Sequence, residues 1–379
     1  MKKDYVYKLL IMVGCFFWQN TLHALEPLES FTEVIAKKET KRLLEKFDLN
    51  RDGKIHKSED NSFWKKNEKF DRDSNFSLDT GELYASFFQS MDTPGEKLLN
   101  VCYKNTPQGR VYLDIFYPDE DIRSDKPVVF FTHGGGWAAG NKSKASTGLF
   151  AKVHKAWLKE GFVVVSVGYR LVNNKNETAI RDCVIDCKDA MRFVSAHHEA
   201  MGVDPNQFYT FGDSAGGHLA MMLLYTSSEP ELFVGDPILQ KYVYKAQAGV
   251  SWYGPCDFQD IQLFNHDDRP GFYNRFADRI TGGEEDSAKH IALYKEVSPI
   301  VYMTEFSPAL LMIQGDKDTT IPVKQAYRMG EVLEKIPAPT EIMIINNAGH
   351  NWRSVDAAIS PTKDEITART IDFLIQQKK

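Results

Sequence analysis

The sequence predicts an α/β domain with a mostly parallel central sheet over residues 93–379, preceded by a small helical region at 25–92. Three observations carry that expectation. From residue 95 onward, short runs rich in β-branched and aromatic residues alternate with segments of helical period. Several of these runs are almost continuously apolar, as strands covered on both faces must be. Residues 25–92 differ in texture, being crowded with Asp, Asn and Lys and patterned as short helices. The bulk composition agrees, since 379 residues with 42% hydrophobic content suffice for two domains. A net charge of -6 argues against general nucleic-acid binding. No apolar run reaches the ~20 residues of a spanning helix.

Residues 1–24 have the layout of a secretory signal peptide. Lys2, Lys3 and Lys8 precede the apolar run from Leu9 to Trp18, and Ala24 supplies a small residue for cleavage. Met12-Val13-Gly14-Cys15 also resembles a lipoprotein box. It ranks second because the apolar stretch before Cys15 is short and continues past it. The expected location is therefore secreted or periplasmic. Export leaves Cys102, Cys183, Cys187 and Cys256 where disulfides are permitted. Cys183 and Cys187 lie four apart on one helical pattern, a poor geometry for bridging each other. Free buried thiols or one long-range bridge are expected, rather than a zinc or redox site.

The stretch 48–59 has the pattern of a calcium loop. Asp48, Asn50 and Asp52 offer side-chain oxygens at the first, third and fifth positions, and Gly53 permits the sharp turn. Lys54 offers its carbonyl and Glu59 closes the shell, as a hard cation requires. The stretch 71–82 repeats the pattern less well. Asp71, Asp73, Asn75, Ser77, Asp79 and Glu82 fall in register, and Leu78 matches Ile55. Its turn position, however, is Phe76 rather than Gly. The region resembles an EF-hand, with an acidic, turn-rich surface as the alternative. A structural calcium ion is expected here, and no cofactor for catalysis. Phe47, Phe63, Trp64, Phe70, Phe87 and Phe88 would supply a small core, and Pro94-Gly95 marks the boundary.

In the larger domain, strands are expected at 111–117, 128–132, 162–167, 208–211, 248–252, 309–314 and 341–345. Helices are expected at 149–160, 181–201 and 363–377. Gly212-Asp213-Ser214-Ala215-Gly216-Gly217 joins an apolar strand to an apolar helix, the setting of a nucleophile elbow. A serine hydroxyl needs a base, and in the order Ser, acid, His that base is His350, beyond the strand 341–345. Asp318, beyond 309–314, is the carboxylate that orients it. Asp316 competes for that role but is better suited to capping its loop. His133-Gly134-Gly135-Gly136-Trp137 follows the strand 128–132, so Gly134, Gly135 and the N–H of Ala215 are assigned to an oxyanion hole. His197 and His198 read as helix-surface residues and His218 as a packing residue. A trypsin-like reading with His133 as base is discarded, because this serine lies between a buried strand and a helix.

His133–Trp137, Tyr169-Arg170-Leu171, Gly212–Gly217, Gly315–Asp318 and Gly349-His350 together resemble the hormone-sensitive-lipase-type branch of the α/β-hydrolases. That branch includes bacterial esterases similar to acetyl- and feruloyl-esterases. The resemblance covers residue 95 to the end and implies the same triad, Ser214, Asp318 and His350, with Gly134, Gly135 and Ala215 as oxyanion donors. A calcium-loop region ahead of the catalytic domain is outside the shared pattern. The stretch 254–298, with Phe258, Phe264, Phe272, Tyr273 and Phe276, is expected to be a lid that lines an acyl or aryl pocket or packs on itself. Trp352 either faces that pocket or buttresses the His350 loop. The expected activity is a secreted serine carboxylesterase acting on short-chain acyl or aryl esters, including acylated carbohydrate. A serine peptidase on the same fold and a non-catalytic, calcium-dependent binding module are the rivals.

Overall fold

A computed structural model of the chain describes residues 40–67 except 42, 75–79, 95, and 97–379 apart from 120–124, 174–176, 265–275 and 284–286. The signal stretch 1–24 lies outside these residues, as do Asp71, Asp73, Glu82, Phe70, Phe87, Phe88, Phe272 and Tyr273. Chain contacts divide the protein into two compact units, Met1–Thr93 and Pro94–Lys379.

In the first unit, residues 43–47 are helical and lead into strand β1 (Ile55–His56), helix α1 (Asn61–Asn67) and strand β2 (Ser77–Leu78). The two strands pair antiparallel with Ile55 opposite Leu78. Ile55, Trp64 and Leu78 are buried together, with Leu43, Leu44, Phe47 and Phe63 packed against them. Phe47 and Phe63 stack with ring centroids 4.5 Å apart.

The second unit is built on eight strands: β3 (Lys97–Thr106), β4 (Gly109–Phe116), β5 (Lys126–Thr132), β6 (Val163–Val167), β7 (Val203–Asp213), β8 (Ala246–Trp252), β9 (Ala309–Gly315) and β10 (Thr340–Ile345). Their order across the sheet is β10-β9-β8-β7-β5-β6-β4-β3. The strands run parallel from β10 to β6, and β4 and β3 close the far edge antiparallel. This is the sheet of an α/β-hydrolase. β6 is Val163-Val164-Val165-Ser166-Val167 and wholly buried, because neighbouring elements cover both faces of a central parallel strand.

Helices α2 (Gly148–Lys159), α3 (Ile180–Ala196), α4 (Ala215–Tyr225), α5 (Lys324–Leu333) and α6 (Lys363–Gln376) surround the sheet. All eleven residues of α4 are buried, which explains a composition without a polar face. The last helix returns to the first: Trp157 Nε1 donates to the Ile371 carbonyl at 3.2 Å, and Lys152 pairs with Asp364 at 2.7 Å. The helical pattern 181–201 is broken after Ala196, and a short helix at His198–Met201 ends on Gly202 in the left-handed conformation (φ 64°). His197 and His198 flank that break, half-buried, each with Nδ1 on a helix carbonyl.

Arg170, part of the Tyr169-Arg170-Leu171 motif, belongs to a buried ion network. Its Nε meets Asp186 at 2.8 Å, and Lys104 on β3 reaches both Asp186 and Asp189 at 2.7 Å. Arg192 completes it with Asp189 at 2.9 Å, so α3 is tied to the antiparallel edge by mutually neutralising charges. Cys102, Cys183, Cys187 and Cys256 are free thiols. Burial pushes the Cys183 and Cys187 thiols well above the ordinary cysteine range, which keeps them protonated and inert.

Candidate active site

The turn between β7 and α4 holds Ser214 at φ 53°, ψ -121°, a left-handed conformation uncommon for a residue with a side chain. The turn closes because its neighbours are glycines. A Cβ at Gly212 would lie 2.2 Å from the Gly216 carbonyl oxygen, and one at Gly216 would lie 1.9 Å from that of Thr132 on β5. The strand, the turn and the adjacent strand therefore pack at backbone distance, and Ser214 sits at the mouth of a cavity with 8% of its surface exposed.

The loops after β9 and β10 bring Asp318 and His350 to it. The Ser214 hydroxyl donates to His350 Nε2 at 3.0 Å, and His350 Nδ1 donates to Asp318 Oδ2 at 2.7 Å. Asp318 is buried. Its other oxygen accepts the N–H groups of Thr320 at 2.7 Å and Ile321 at 2.9 Å, and Gln314 Nε2 reaches Oδ2 at 3.3 Å. This carboxylate is fixed in place by these bonds and fits a role in holding the imidazole tautomer. Asp316 instead accepts the Ala348 N–H at 3.3 Å, so it ties its loop to the one that carries His350 rather than capping its own. The Tyr253 ring lies 4.7 Å from that of His350, and Trp352 packs edge-on against Tyr253 at 4.6 Å. Trp352 is 1% exposed, so it buttresses the His350 loop rather than facing the cavity.

The glycine loop after β5 faces Ser214, and here the structure corrects one assignment. The Gly134 N–H is donated to Asp213 Oδ1 at 2.9 Å, and a Cβ at Gly134 would lie 2.5 Å from Asp213 Oδ2. That donor is committed to holding the loop against the elbow and is not available to a substrate. Among the described residues, the N–H groups of Gly135, Gly136 and Ala215 carry no hydrogen bond. Gly135 and Gly136 adopt φ values of 129° and 61°, which only glycine takes without strain. The N–H groups left free to meet an oxyanion are thus those of Gly135, Gly136 and Ala215, with Gly136 standing where Gly134 was expected. Asp213, the variable position of the Gly-x-Ser-x-Gly turn, is the residue sequence reasoning missed. It is 1% exposed, and Lys144 Nζ neutralises it at 2.7 Å.

His133 and His218 are structural. His133 stacks on Tyr169 at 4.3 Å, and the Tyr169 hydroxyl donates to its carbonyl at 2.6 Å. His218 accepts from Trp137 Nε1 at 3.2 Å and donates to the Val297 carbonyl at 2.7 Å. Burial holds both rings down to about 4, so they are neutral across the physiological range. The cavity beside Ser214 has a volume of about 850 Å³. Trp137, Phe276 and Ile321 supply its apolar lining, and Asn141, Ser143, Thr147 and Asn351 much of its polar rim. Phe258 and Phe264 stack at 5.4 Å and are buried behind it, packing on Phe276 and Trp137.

In the first unit, the stretch 48–59 forms a closed turn. Asp48 accepts the N–H groups of Asp52 and Gly53, and Glu59 accepts those of Leu49, Asn50 and His56. Gly53 has φ 84°, and Phe76, at the equivalent position of the second stretch, has φ 62°. The side-chain donors Asp48, Asn50, Asp52 and Glu59, with Lys54 offering its carbonyl, are all oxygen and suit a hard cation. Asp52 also meets His56 Nε2 at 2.7 Å, and among the described residues no three acidic, His or Cys side chains converge on one point. Asn75 and Ser77 are linked by a hydrogen bond from the Ser77 N–H at 2.8 Å, and the rest of that donor set is outside the described residues.

Comparison with known proteins bears on the second unit. The BD-FAE family profile matches residues 113–333. A probable carboxylic ester hydrolase, LipM of Mycobacterium tuberculosis, is 29% identical over 226 residues, 59% of this chain and 49% of that protein. The isoprenylcysteine alpha-carbonyl methylesterase ICME of Arabidopsis thaliana is 26% identical over 268 residues, 70% of this chain and 59% of its own length. The chain thus spans about half to three-fifths of these curated relatives. Among solved structures, a truncated carbohydrate esterase from gut microbiota superposes with a TM-score of 0.59 at 23% identity, covering 76% of this chain and 97% of that one. A propionate-bound esterase of Thermogutta terrifontis gives 0.57 at 22% identity, covering 73% and 93%.

Proposed function

Because the chain belongs to the BD-FAE family, we propose that it is a serine carboxylesterase acting on short-chain acyl or aryl esters. The observation that carries this reading is the continuous hydrogen-bond relay from Ser214 through His350 to Asp318, set opposite the unoccupied N–H groups of Gly135, Gly136 and Ala215. Ser214 Oγ attacks the ester carbonyl while His350 Nε2 takes its proton. The carbonyl oxygen becomes an oxyanion facing the three backbone N–H groups, each such donor being worth ~10²–10³ in rate. The imidazolium, stabilised by Asp318, gives the proton to the departing alcohol. Water activated by the same nitrogen then attacks the acyl-enzyme, and the acid and free Ser214 are released.

Acylated carbohydrate is the proposed substrate class. The cavity's hydroxyl and amide rim favours it, as does the likeness to the carbohydrate esterase from gut microbiota. The chain acts as a secreted or periplasmic enzyme whose first 24 residues are an export signal, a reading drawn from their basic and apolar layout. Its first unit holds a structural calcium ion through Asp48, Asn50, Asp52, Lys54 and Glu59. Asp71, Asp73, Asn75, Ser77 and Glu82 form a weaker second set. The catalytic relay uses no metal donor, so calcium contributes to folding of the first unit alone.

The test is hydrolysis of p-nitrophenyl acetate, acetylated xylan, methyl ferulate and a peptide amide by the purified protein beside Ser214→Ala. Ester turnover that disappears in Ser214→Ala is expected. Its absence, or cleavage of the amide alone, overturns the proposal. For calcium, EDTA should lower the melting temperature of the wild type but not of Asp48→Ala. An unchanged melting temperature with no bound metal refutes that part.

A further inference from the structure

Among the described residues, the cavity beside Ser214 carries two cations, and they are not equivalent. Lys144 is neutralised by Asp213, the only carboxylate lining the cavity among the described residues, and that carboxylate is itself buried. Arg279, on the short helix Ala277–Thr281, has no such partner among the described residues. Its Nη1 donates to the Gly136 carbonyl at 2.8 Å, and its guanidinium lies 5.7 Å from the centre of the Phe276 ring. Among the described residues, no ion pair involves Arg279. A guanidinium has five N–H donors in a rigid fork, so four remain uncommitted on the wall of this cavity. In a chain of net charge -6, a half-buried, uncompensated positive charge beside the reaction centre is a recognition element for an anion.

We infer that the substrate carries a carboxylate close to the ester, and that Arg279 is the residue that selects it. The inference rests on the esterase reading of the same site. A planar carboxylate fits the guanidinium fork in a bidentate manner, and the Phe276 face and the Gly136 carbonyl fix the fork's orientation. The carboxylate belongs either to the alcohol part, as in a uronic-acid residue of an acylated polysaccharide, or to the acyl part, as in a dicarboxylic half-ester. Both present the same charge to Arg279.

Two matched substrate pairs decide the matter. One is acetylated xylo-oligosaccharide with and without a glucuronic-acid branch. The other is monoethyl succinate against ethyl butyrate. Wild-type protein should favour the acidic member of at least one pair by about tenfold in kcat/KM, equivalent to about 1.4 kcal/mol. The preferred pair identifies which part bears the charge. In Arg279→Gln the ratio should fall toward one, and in Arg279→Lys it should fall only in part. The ratio is the readout because both members share any general loss from disturbing Gly136. As a binding measurement, Ser214→Ala protein should hold the acidic oligosaccharide more tightly than the neutral one, with the difference shrinking at high salt. Wild-type hydrolysis of the neutral esters without acidic preference in either pair overturns the inference while leaving the esterase intact. A preference that survives unchanged in Arg279→Gln also overturns it. Loss of all Ser214-dependent turnover would instead strike the esterase reading.

Discussion

Three neutral histidines buried in the catalytic unit make it acid-labile above the range where carboxylates titrate. Burial holds His133, His154 and His218 down to about 4, against about 6.5 in an unfolded chain. All three are at most 3% exposed, and His154 Nε2 is a buried atom with no hydrogen-bond partner. Each ring is neutral in the folded protein and takes up a proton on unfolding once the pH drops below about 6.5. Their contribution is therefore fully present above pH ~6.5 and is lost as the pH falls from there toward 4. Between pH 7.5 and 5.5 the loss is about 1.3 kcal/mol per histidine, or about 4 kcal/mol for the three. Unfolding at pH 5.5 should take up about 2.6 protons. Urea unfolding at a series of pH values, followed by tryptophan fluorescence, measures this directly, because Trp137, Trp157, Trp252 and Trp352 are all buried in this unit. His154→Leu should flatten the pH dependence by about a third, whatever it does to absolute stability. A loss below about 1 kcal/mol across this window, or an undiminished slope in His154→Leu, would refute the argument.

Gly216→Ala would put a methyl group 1.9 Å from the Thr132 carbonyl oxygen. It should cost about 3 kcal/mol in urea unfolding and remove most esterase activity, since β5 and α4 would have to separate at the elbow. Asp213→Ala would leave the Gly134 N–H and Lys144 without their acceptor. It should lower kcat by about tenfold or more with a smaller change in KM, and cost about 2 kcal/mol of stability. Asp213→Asn, which keeps the acceptor for Gly134, should recover part of both. Asp318→Asn should preserve the backbone anchors at Thr320 and Ile321 but favour the wrong imidazole tautomer. Steady-state kinetics should show kcat reduced by a factor on the order of 10⁴ with KM little changed.

The parts of the fold that were legible in the sequence are those governed by local pattern. Central strands such as Val163–Val167 are apolar throughout because they are covered on both faces, and such runs are visible in any sequence. Strand β3 was not anticipated. Its register with β4 shifts twice, after Leu98 and after Cys102, so the alternation that marks an edge strand is broken. Ser214, His350 and Asp318 could be placed from motif order because each follows a recognisable strand. The choice among Gly134, Gly135 and Gly136 could not. Three identical residues are distinguished only by a tertiary hydrogen bond from a side chain 79 positions away. Arg279 was equally invisible: it sits outside every motif, and its meaning comes from what surrounds it rather than from its neighbours in sequence.

The distance along the chain between nucleophile and base carries one more consequence. Ser214 and His350 are separated by 136 residues, and the closing helix α6 is fastened back onto α2 near the start of the domain. A nascent polypeptide leaving the ribosome possesses its serine turn long before its histidine has been synthesised. A chain that stops before His350 thus lacks the base of the proposed relay. On the proposed reading, hydrolysis therefore waits until the segment carrying His350 has been made and has docked against the serine turn.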